Sequence, residues 1–567
     1  MTSFDYEIVK DPEIFMQNRM DAHSDHDFYE SEKAAGEGCS AFKHMLNGIW
    51  KFSHAKNYGS AIKDFYEEGY DCRMWDEIRV PSHIQLEGYG HPAYVNTQYP
   101  WDGSEEIDPG EIPTVFNPVA SYAKYFYLPE NMRGDESVYI SFQGVESGFA
   151  LWLNGKYIGY SEDSFTPSEF DLTEYVKRNE ENKLCVMVFR FTSGSWCEDQ
   201  DFFRFSGIFR DVYLYTVPKT HIKDLKIETL LDDEYVDANL KLTIKVRGEG
   251  SAGITLLDEG DEIFSEKEDL AEEITFEYPV KDPLKWSAED PNLYDLRIEV
   301  YDKSGELTEI VCEKVGFRRF ELIDRIMCLN GKRIIFHGVN RHEFSADNGR
   351  CVRYDDILKD IITMKRNNIN AIRTSHYPNR TDLYRLCDLY GIYMIDETNM
   401  ETHGIWDSIV RGINDISYSV PGDRPEYREM VLDRARSVYE RDKNHPAILI
   451  WSLGNESFGG SIFKEMHDLF HELDSGRLVH YEGCSFDRDD RYPESSDMYT
   501  TMYHTVEQIK EYLKDHREKP YINCEYSHAM GNSCGAMHWY TDLTHEEELY
   551  QGGFIWDYID QSMTLKD

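Results

Sequence analysis

An unbroken apolar run at residues 447–453, AILIWSL, is the most informative pattern in the chain. It lacks the alternation of apolar and polar positions that marks a strand with one solvated face. Such a run is typical of a strand buried on both faces, as in a parallel sheet covered by helices. Asn455 and Glu456 follow it directly, and the ends of barrel strands are where catalytic side chains lie. A merely solvated strand end fits this stretch equally well, so the rest of the chain has to decide.

Residues 321–567 contain further strand-like runs, which alternate with helix-like segments. One helix is predicted over 425–442, because a proline precedes apolar residues that recur on one face, namely Tyr427, Val431, Ala435 and Val438. Eight strands with helices between them predict a (β/α)8 TIM barrel. The predicted strands are 333–338, 371–374, 393–396, 447–453, 478–481, 497–502, 521–524 and 553–556.

Upstream of the barrel the pattern is all-β. Residues 46–217 contain short strands separated by turn residues, and the Asn154-Gly155 pair between apolar segments is a strong hairpin signal. We predict a jelly-roll β-sandwich there. Residues 218–320 alternate apolar and polar positions, as around Leu242, over a length that suits an immunoglobulin-like sandwich. Residues 1–45 show no periodicity, and we expect an irregular segment.

The composition limits the classes of protein to which the chain can belong. The chain has 567 residues, 41% of them apolar, and a formal net charge of −46. That charge argues against binding to nucleic acid or to an anionic membrane. The eleven cysteines include no C-x-x-C pair, the N-terminus lacks the apolar core of a secretory signal, and no apolar run is long enough to span a bilayer. We therefore expect a soluble cytoplasmic protein.

If the barrel is right, the polar residues just past its strands converge on one rim. Any one histidine among them is more simply explained as a hydrogen-bonded core residue, but a structural protein has no need for titratable groups at nearly every strand end. The residues concerned are Asn340, Arg341, His342, Glu343, Ser375, His376, Tyr377, Glu397, Asn399, Glu401, His403, Asn455, Glu456, Tyr503, His504, Glu525, Tyr526, His528, Trp556 and Asp557.

Two glutamates in this set, Glu456 after the fourth strand and Glu525 after the seventh, indicate glycoside hydrolysis. That reaction needs a protonated carboxyl for the leaving oxygen and an ionised carboxylate facing the anomeric carbon. Aromatic residues such as Trp556 suit the apolar face of a sugar ring. The Glu401-x-His403 pair points two ligand types the same way on extended backbone, which suits a hard divalent ion such as Mg²⁺.

Long motifs in the barrel region closely resemble the β-galactosidases of glycoside hydrolase family 2. They are GVNRHEF (338–344), TSHYPNR (374–380), DETNMETHGI (396–405), IWSLGNESF (450–458), NCEYSHAMGNSC (523–534) and GGFIWDYIDQSM (552–563). The resemblance continues upstream in VPSHIQLEGYGH (80–91), YVNTQYPW (94–101), EDQDFFRFSGIFRDVY (198–213) and WSAEDPNLYD (286–295). It covers almost the whole chain in the right order. It implies the three domains predicted above and an exo-acting enzyme that removes terminal β-D-galactose from β-galactosides such as lactose.

The resemblance also implies roles for the matching residues. Glu525 would be the nucleophile of a retaining double displacement, and Glu456 would be the acid that then becomes the base. The implied substrate-binding residues are Asn96, Asp201, His342, His376, Asn455, Tyr503, His528 and Trp556. The resemblance implies Mg²⁺ at Glu401, His403 and Glu456, and Na⁺ at Asp201, which would also meet the galactose 6-hydroxyl.

The end of the chain departs from the family pattern. It stops at Asp567, just after the eighth predicted strand, whereas family members continue through a loop that completes the Na⁺ site and through further β domains. The resemblance therefore implies either a fragment of a longer protein or a second polypeptide, such as a small subunit, that supplies the rest. A homo-oligomer is a further expectation.

Two other functions stay open from the sequence. A family 2 enzyme for another sugar, such as a β-glucuronidase, would need a cationic pocket for the sugar carboxylate, whereas Asp201 favours a neutral 6-hydroxyl. A non-catalytic sugar-binding subunit would have no need for both glutamates and the metal ligands.

Overall fold

A computed structural model describes residues 3–484 and 491–564. Two antiparallel β-sandwiches are followed by a parallel eight-stranded barrel, so the predicted fold class is confirmed. Each of the three units has an apolar core of its own. Within these residues no helix is both long and apolar enough to cross a membrane.

The N-terminal segment is irregular only in part, which corrects the prediction for residues 1–45. It contains strands that extend both sandwiches, two of them in the first and one in the second. Each strand has only two or three residues, too few to show a periodicity in the sequence. The elements are β1 (Met16–Gln17), β2 (Asp27–Tyr29), α1 (Glu32–Glu37) and β3 (Lys43–Met45).

The first sandwich consists of a seven-stranded sheet, β1-β11-β10-β13-β7-β4-β5, facing a four-stranded sheet, β12-β8-β16-β3. The hairpin predicted at Asn154-Gly155 is confirmed, because Leu153 pairs with Lys156 and both turn residues have positive φ. The strands are β4 (Gly48–Ala55), β5 (Asp76–Val80), β6 (Ala93–Val95), β7 (Val119–Phe126), β8 (Ser137–Phe142), β9 (Val145–Glu146), β10 (Gly148–Leu153), β11 (Lys156–Ser161), β12 (Ser168–Asp171), β13 (Asn182–Phe189), β14 (Phe202–Arg204), β15 (Gly207–Ile208) and β16 (Val212–Val217).

The second sandwich pairs a three-stranded sheet, β17-β18-β21, with a five-stranded sheet, β2-β23-β22-β19-β20. The predicted alternation is present, since Leu240, Leu242 and Ile244 are buried while the residues between them are less so. The strands are β17 (His221–Leu231), β18 (Ala238–Arg247), β19 (Gly250–Asp258), β20 (Asp261–Asp269), β21 (Glu273–Val280), β22 (Tyr294–Asp302) and β23 (Leu307–Val315).

The barrel strands run parallel in the order β31-β30-β29-β28-β27-β34-β33-β32. Within the described ranges no backbone ladder joins β31 to β32, so the barrel is nearly closed. A small three-stranded antiparallel sheet that was not predicted precedes the first barrel strand, which therefore begins three residues later than expected. The small sheet consists of β24 (Phe320–Ile323), β25 (Ile326–Leu329) and β26 (Lys332–Arg333). The barrel strands are β27 (Phe336–Arg341), β28 (Ala371–Arg373), β29 (Tyr393–Glu397), β30 (Ile448–Ser452), β31 (Leu478–His480), β32 (Tyr499–Met502), β33 (Tyr521–Tyr526) and β34 (Tyr550–Tyr558).

Helices cover the outside of the barrel. The helix predicted over 425–442 is confirmed with its bounds, and its first residue is the proline. The helices of the barrel region are α2 (Tyr354–Arg366), α3 (Thr381–Tyr390), α4 (His403–Val410), α5 (Pro425–Asp442), α6 (Gly460–Leu473), α7 (Val506–Tyr512) and α8 (Met537–Glu546).

A segment of the first sandwich, residues 197–201, lies across the barrel rim. Its backbone exchanges hydrogen bonds of 2.9 and 3.0 Å with the backbone of Glu401. Arg434 on α5 donates to the Glu198 carboxylate at 2.7 Å, and both side chains are buried. Breaking such a pair would leave an uncompensated buried charge. The segment is thus fixed in place, and Asp201 lies at the mouth of the barrel.

Candidate active site

Glu525, in the C-terminal half of β33, is held by hydrogen bonds on both of its oxygens. Arg373 donates to one oxygen at 3.0 Å, and the Tyr503 hydroxyl donates to the other at 2.7 Å. Burial raises the pKa of Glu525 to about 7; Arg373 and Tyr503 oppose this rise, and the charge of Glu456 adds to it. The site therefore holds a carboxylate that can be ionised near neutral pH and is fixed in orientation.

Arg373, at the end of β28, connects residues from several barrel strands. It was not among the predicted site residues. It is fully buried, and its guanidinium makes five hydrogen bonds of 2.7–3.1 Å to Glu397, Asn340, Asn455 and Glu525. The sequence does contain a signal for it. An arginine inside the apolar segment AIRT needs a charged partner if that strand is buried on both faces.

Glu401, His403 and Glu456 form a second polar group at the rim. One potential ligand atom from each lies within 4.8 Å of the others. The Nδ1 atom of His403 is 3.4 Å from Glu401 and 3.1 Å from Glu456, although neither contact has hydrogen-bond geometry. Burial raises the pKa of Glu401 to about 8. Burial alone would lower the pKa of His403, but the carboxylates of Glu456 and Glu401 raise it to about 10.

This second group has the donor set of a divalent metal site. Both carboxylate oxygens of Glu401 are buried and lack a hydrogen-bond partner in the described part of the chain. Two carboxylates and an imidazole around such unpaired atoms fit a divalent cation. One detail of the prediction is corrected: His403 is not on extended backbone but is the first residue of α4. The chain turns at Thr402, and this turn directs the imidazole toward the two carboxylates.

His376, His342 and Trp556 form an aromatic wall. The ring of His376 stacks on Trp556 with centroids 5.1 Å apart, and His342 meets Trp556 edge-on at 5.3 Å. The Nδ1 atom of His376 is 2.7 Å from Glu397. Burial lowers the pKa of both histidines well below the usual value, so both are neutral near pH 7. The Nε2 atom of His342 is buried without a hydrogen-bond partner among the described residues, which leaves it for a ligand.

The side of the mouth formed by the first sandwich is acidic. Tyr94 donates a hydrogen bond to Asp201, and Asp557 on β34 lies close to it. Both carboxylate oxygens of Asp557 are buried without a hydrogen-bond partner in residues 3–484 and 491–564. Burial raises the pKa of Asp557 to about 7, and the charges of Asp560 and Asp201 add to the shift.

The remaining predicted site residues lie at different depths. Asn455 is buried and accepts a hydrogen bond of 3.0 Å from Arg373. Tyr503 is 43% exposed and has a positive φ of 58°, a backbone conformation that bulky residues rarely adopt. His528 is exposed, with its ring 6.0 Å from that of Tyr503. Asn96 is exposed beyond β6, and its side-chain oxygen accepts from the Thr97 amide at 2.7 Å.

Several residues at the strand ends have structural contacts instead. Arg341 donates to Asp360 at 2.9 Å and to Asn379 at 2.6 Å. Glu343 accepts from Arg210 of the first sandwich at 2.7 Å. Their position just past a barrel strand therefore does not by itself predict a place in the site.

Comparison with known families covers the chain almost from end to end. Residues 43–218 match the model described as "Glycosyl hydrolases family 2, sugar binding domain". Residues 220–318 match "Glycosyl hydrolases family 2", and residues 320–567 match "Glycosyl hydrolases family 2, TIM barrel domain".

Curated relatives are similar over nearly the whole of this chain. A β-galactosidase of Halalkalibacterium halodurans is 51% identical over 566 residues, which are 99% of this chain and 55% of that protein. A β-galactosidase of Clostridium acetobutylicum is 50% identical over 98% of this chain and 62% of its own length. A β-galactosidase large subunit of Leuconostoc lactis is 44% identical over 99% of this chain and 91% of its own length. The chain thus spans a little over half of the first two relatives and nearly all of the large subunit.

Solved structures share the fold at low sequence identity. A β-glucuronidase of Bifidobacterium dentium, complexed with coumarin-3-O-glucuronide, has a TM-score of 0.74 and 20% identity and covers 92% of both chains. At that identity the likeness concerns the fold alone.

Proposed function

This chain belongs to glycosyl hydrolase family 2, and we propose that it is the catalytic part of a retaining exo-β-galactosidase. Membership follows from the family matches and from a relative 51% identical over 99% of the chain. The proposed mechanism rests on the position of Glu525. Arg373 and Tyr503 hold its carboxylate, and Glu456 is close enough for its charge to raise the pKa of Glu525. Two carboxyl groups in one barrel mouth are the minimum that this chemistry requires.

In the first step the Glu525 carboxylate attacks the anomeric carbon while Glu456 gives its proton to the glycosidic oxygen. The bond from that carbon to the oxygen breaks, the aglycone leaves as an alcohol, and galactose is esterified to Glu525. The hydrogen bonds from Arg373 and Tyr503 keep one oxygen of the nucleophile aimed at the sugar. Such positioning supplies part of the rate acceleration.

In the second step Glu456 acts as a base. Its carboxylate takes a proton from water as the water attacks the anomeric carbon, and Glu525 leaves as the carboxylate. We propose that Glu401, His403 and Glu456 hold Mg²⁺, which the unpaired buried oxygens of Glu401 support. When bound, the ion would supply positive charge beside Glu456, which favours the ionised form that acts as the base.

The acidic side of the mouth supports a neutral sugar. The charges of Asp201 and Asp560 act on Asp557, which has no cationic partner among the described residues. A uronic acid carboxylate placed there would be repelled, whereas a 6-hydroxyl can donate to Asp201 and Na⁺ can be bound by it. The stacked rings of His376 and Trp556 suit the apolar face of galactose.

The length of the chain relative to its relatives supports a working enzyme with further parts. The chain covers 91% of the Leuconostoc large subunit but only 55% of the Halalkalibacterium protein. We propose that the working enzyme includes further β domains, either on the same polypeptide or on a small subunit. Asn96 and His528, both exposed here, are the predicted substrate contacts that such a partner would cover.

The proposal is tested by the hydrolysis of 4-nitrophenyl β-glycosides with Mg²⁺ and Na⁺ present and with the relatives' C-terminal part added in trans. We expect turnover of the galactoside, little turnover of the glucuronide, and loss of turnover in Glu525→Gln with sugar binding retained. Glu546→Gln, at the exposed end of α8, is the matched control and should behave as wild type. Turnover of the glucuronide in preference to the galactoside, or unchanged turnover in Glu525→Gln, would refute the proposal.

A further inference from the structure

Two histidines on α6 point at one carboxylate on the far side of the barrel from the candidate active site. His467 and His471 are four residues apart, so their side chains share one face of the helix. Their Nε2 atoms lie 3.4 and 2.9 Å from the two oxygens of Asp497. Asp497 precedes β32, so the group lies at the amino-terminal end of the barrel strands.

The separations are compatible with a tetrahedral metal site. One potential ligand atom from each of the three residues lies within 4.8 Å of the others. With bonds of about 2.0–2.1 Å to zinc, two tetrahedral ligands lie about 3.3–3.4 Å apart. The contacts of the two Nε2 atoms with the Asp497 carboxylate, 3.4 Å to one oxygen and 2.9 Å to the other, are close enough for small adjustments to reach that separation. Three protein ligands and a water complete the usual coordination number of four.

The surrounding contacts are those expected around metal ligands. The other ring nitrogen of His467, Nδ1, is 3.1 Å from Asp468. One oxygen of Asp497 accepts a hydrogen bond from the Val479 amide at 2.7 Å. Carboxylate and backbone partners of this kind orient ligating side chains. The side chain of His471 is 35% exposed, which leaves a path from solvent.

We propose that His467, His471 and Asp497 form a zinc site that strengthens the open side of the barrel. Within the described ranges no ladder joins β31 to β32. The Asp497 amide donates a hydrogen bond of 2.8 Å to the Val479 carbonyl of β31, and α6 packs outside this junction. An ion bound to both histidines and Asp497 would connect the helix to the junction. This inference is independent of the proposed glycosidase activity.

The site is tested by titrating the purified chain with Co²⁺ and Zn²⁺ in excess Mg²⁺. Cobalt reports geometry through its visible absorption, and tetrahedral cobalt absorbs much more strongly than octahedral cobalt. We expect one tetrahedral Co²⁺ per chain, displaced by Zn²⁺, and a saturable rise in Tm with Zn²⁺. His471→Ala should weaken binding at least tenfold, because changing even the hydrogen-bond partners of metal ligands typically costs roughly 10–100-fold in affinity.

Controls separate this site from other histidines. His516→Ala removes an exposed histidine whose Nδ1 atom contacts the Tyr512 carbonyl, and it should leave the signal unchanged. His403→Ala disables the group at the rim and should also leave it unchanged. Asp497→Asn keeps the shape but removes the charge, and it should weaken binding as His471→Ala does. Equal Zn²⁺ affinity of wild type and His471→Ala, or a loss confined to His403→Ala, would overturn the proposal and leave an ion-pair cluster only.

Discussion

Replacement of Arg373 by lysine tests how the barrel positions Glu525, the proposed nucleophile. Lysine keeps a positive charge beside Glu397, which is fully buried and forms an ion pair with Arg373. One ammonium group cannot reproduce five hydrogen bonds to four residues, and we expect the bond to Glu525 to be lost. A hydrogen bond to a charged group is worth roughly 1.5–3 kcal/mol.

The loss acts mainly on the ionised form of Glu525. Arg373 opposes the rise in the pKa of this carboxyl, so removing the bond raises that pKa further. Since about 1.36 kcal/mol corresponds to one pH unit in the titration of a carboxyl, the acid limb of kcat/KM should move up by about one to two pH units. Activity near neutral pH should therefore fall about tenfold or more and largely recover at higher pH.

The assay is kcat/KM for an aryl β-galactoside measured from acid to alkaline pH. Arg341→Lys is the matched control, because Arg341 is also fully buried at a barrel strand end but bonds to Asp360 and Asn379. The control should keep the wild-type pH profile. An unshifted acid limb in Arg373→Lys, or a loss of activity that is the same at every pH, would refute this electrostatic account.

Three further predictions follow from single contacts. Tyr503→Phe removes the 2.7 Å bond to Glu525; kcat/KM should fall roughly 10–100-fold with its acid limb shifted upward, and an unchanged pH profile would contradict this. Glu456→Gln should reduce hydrolysis of lactose far more than that of a 4-nitrophenyl galactoside, because an acidic leaving group needs less proton donation; equal losses on both substrates would count against the assigned role. Arg210→Met removes the ion-pair partner of the buried Glu343, which keeps only the hydrogen bond from the Arg380 amide among the described contacts. Breaking the pair costs about 3–5 kcal/mol and should lower Tm by several degrees in calorimetry; an unchanged Tm would show that the contact is dispensable.

The sequence predicted the elements whose local pattern and tertiary environment agree. The apolar run at 447–453 contains β30 (Ile448–Ser452), which is buried on both faces. α5 begins at its proline and ends where the sequence indicated. Here the periodicity, the proline and the burial all specify the same structure, and no distant contact is needed to interpret them.

The features that the sequence did not predict are those that depend on tertiary contacts. The short strands β1, β2 and β3 exist because distant sheet edges accept them. The role of Arg373 depends on four partners from other strands, although the arginine in AIRT was visible. Arg341 and Glu343 were wrongly grouped with the site residues. Both follow a barrel strand, but they contact Asp360, Asn379 and Arg210 instead, since a strand end does not fix which way a side chain points.

Trapping the covalent intermediate tests the central claim most directly. A 2-deoxy-2-fluoro-β-galactosyl donor with a good leaving group slows both steps but the second one more, so a glycosyl-enzyme should accumulate. After incubation of the active assembly, digestion and mass spectrometry should find the sugar on Glu525, and NMR of the normal reaction should show β-galactose as the first product. Sugar on Glu456 or another residue, or α-galactose as the first product, would contradict the account.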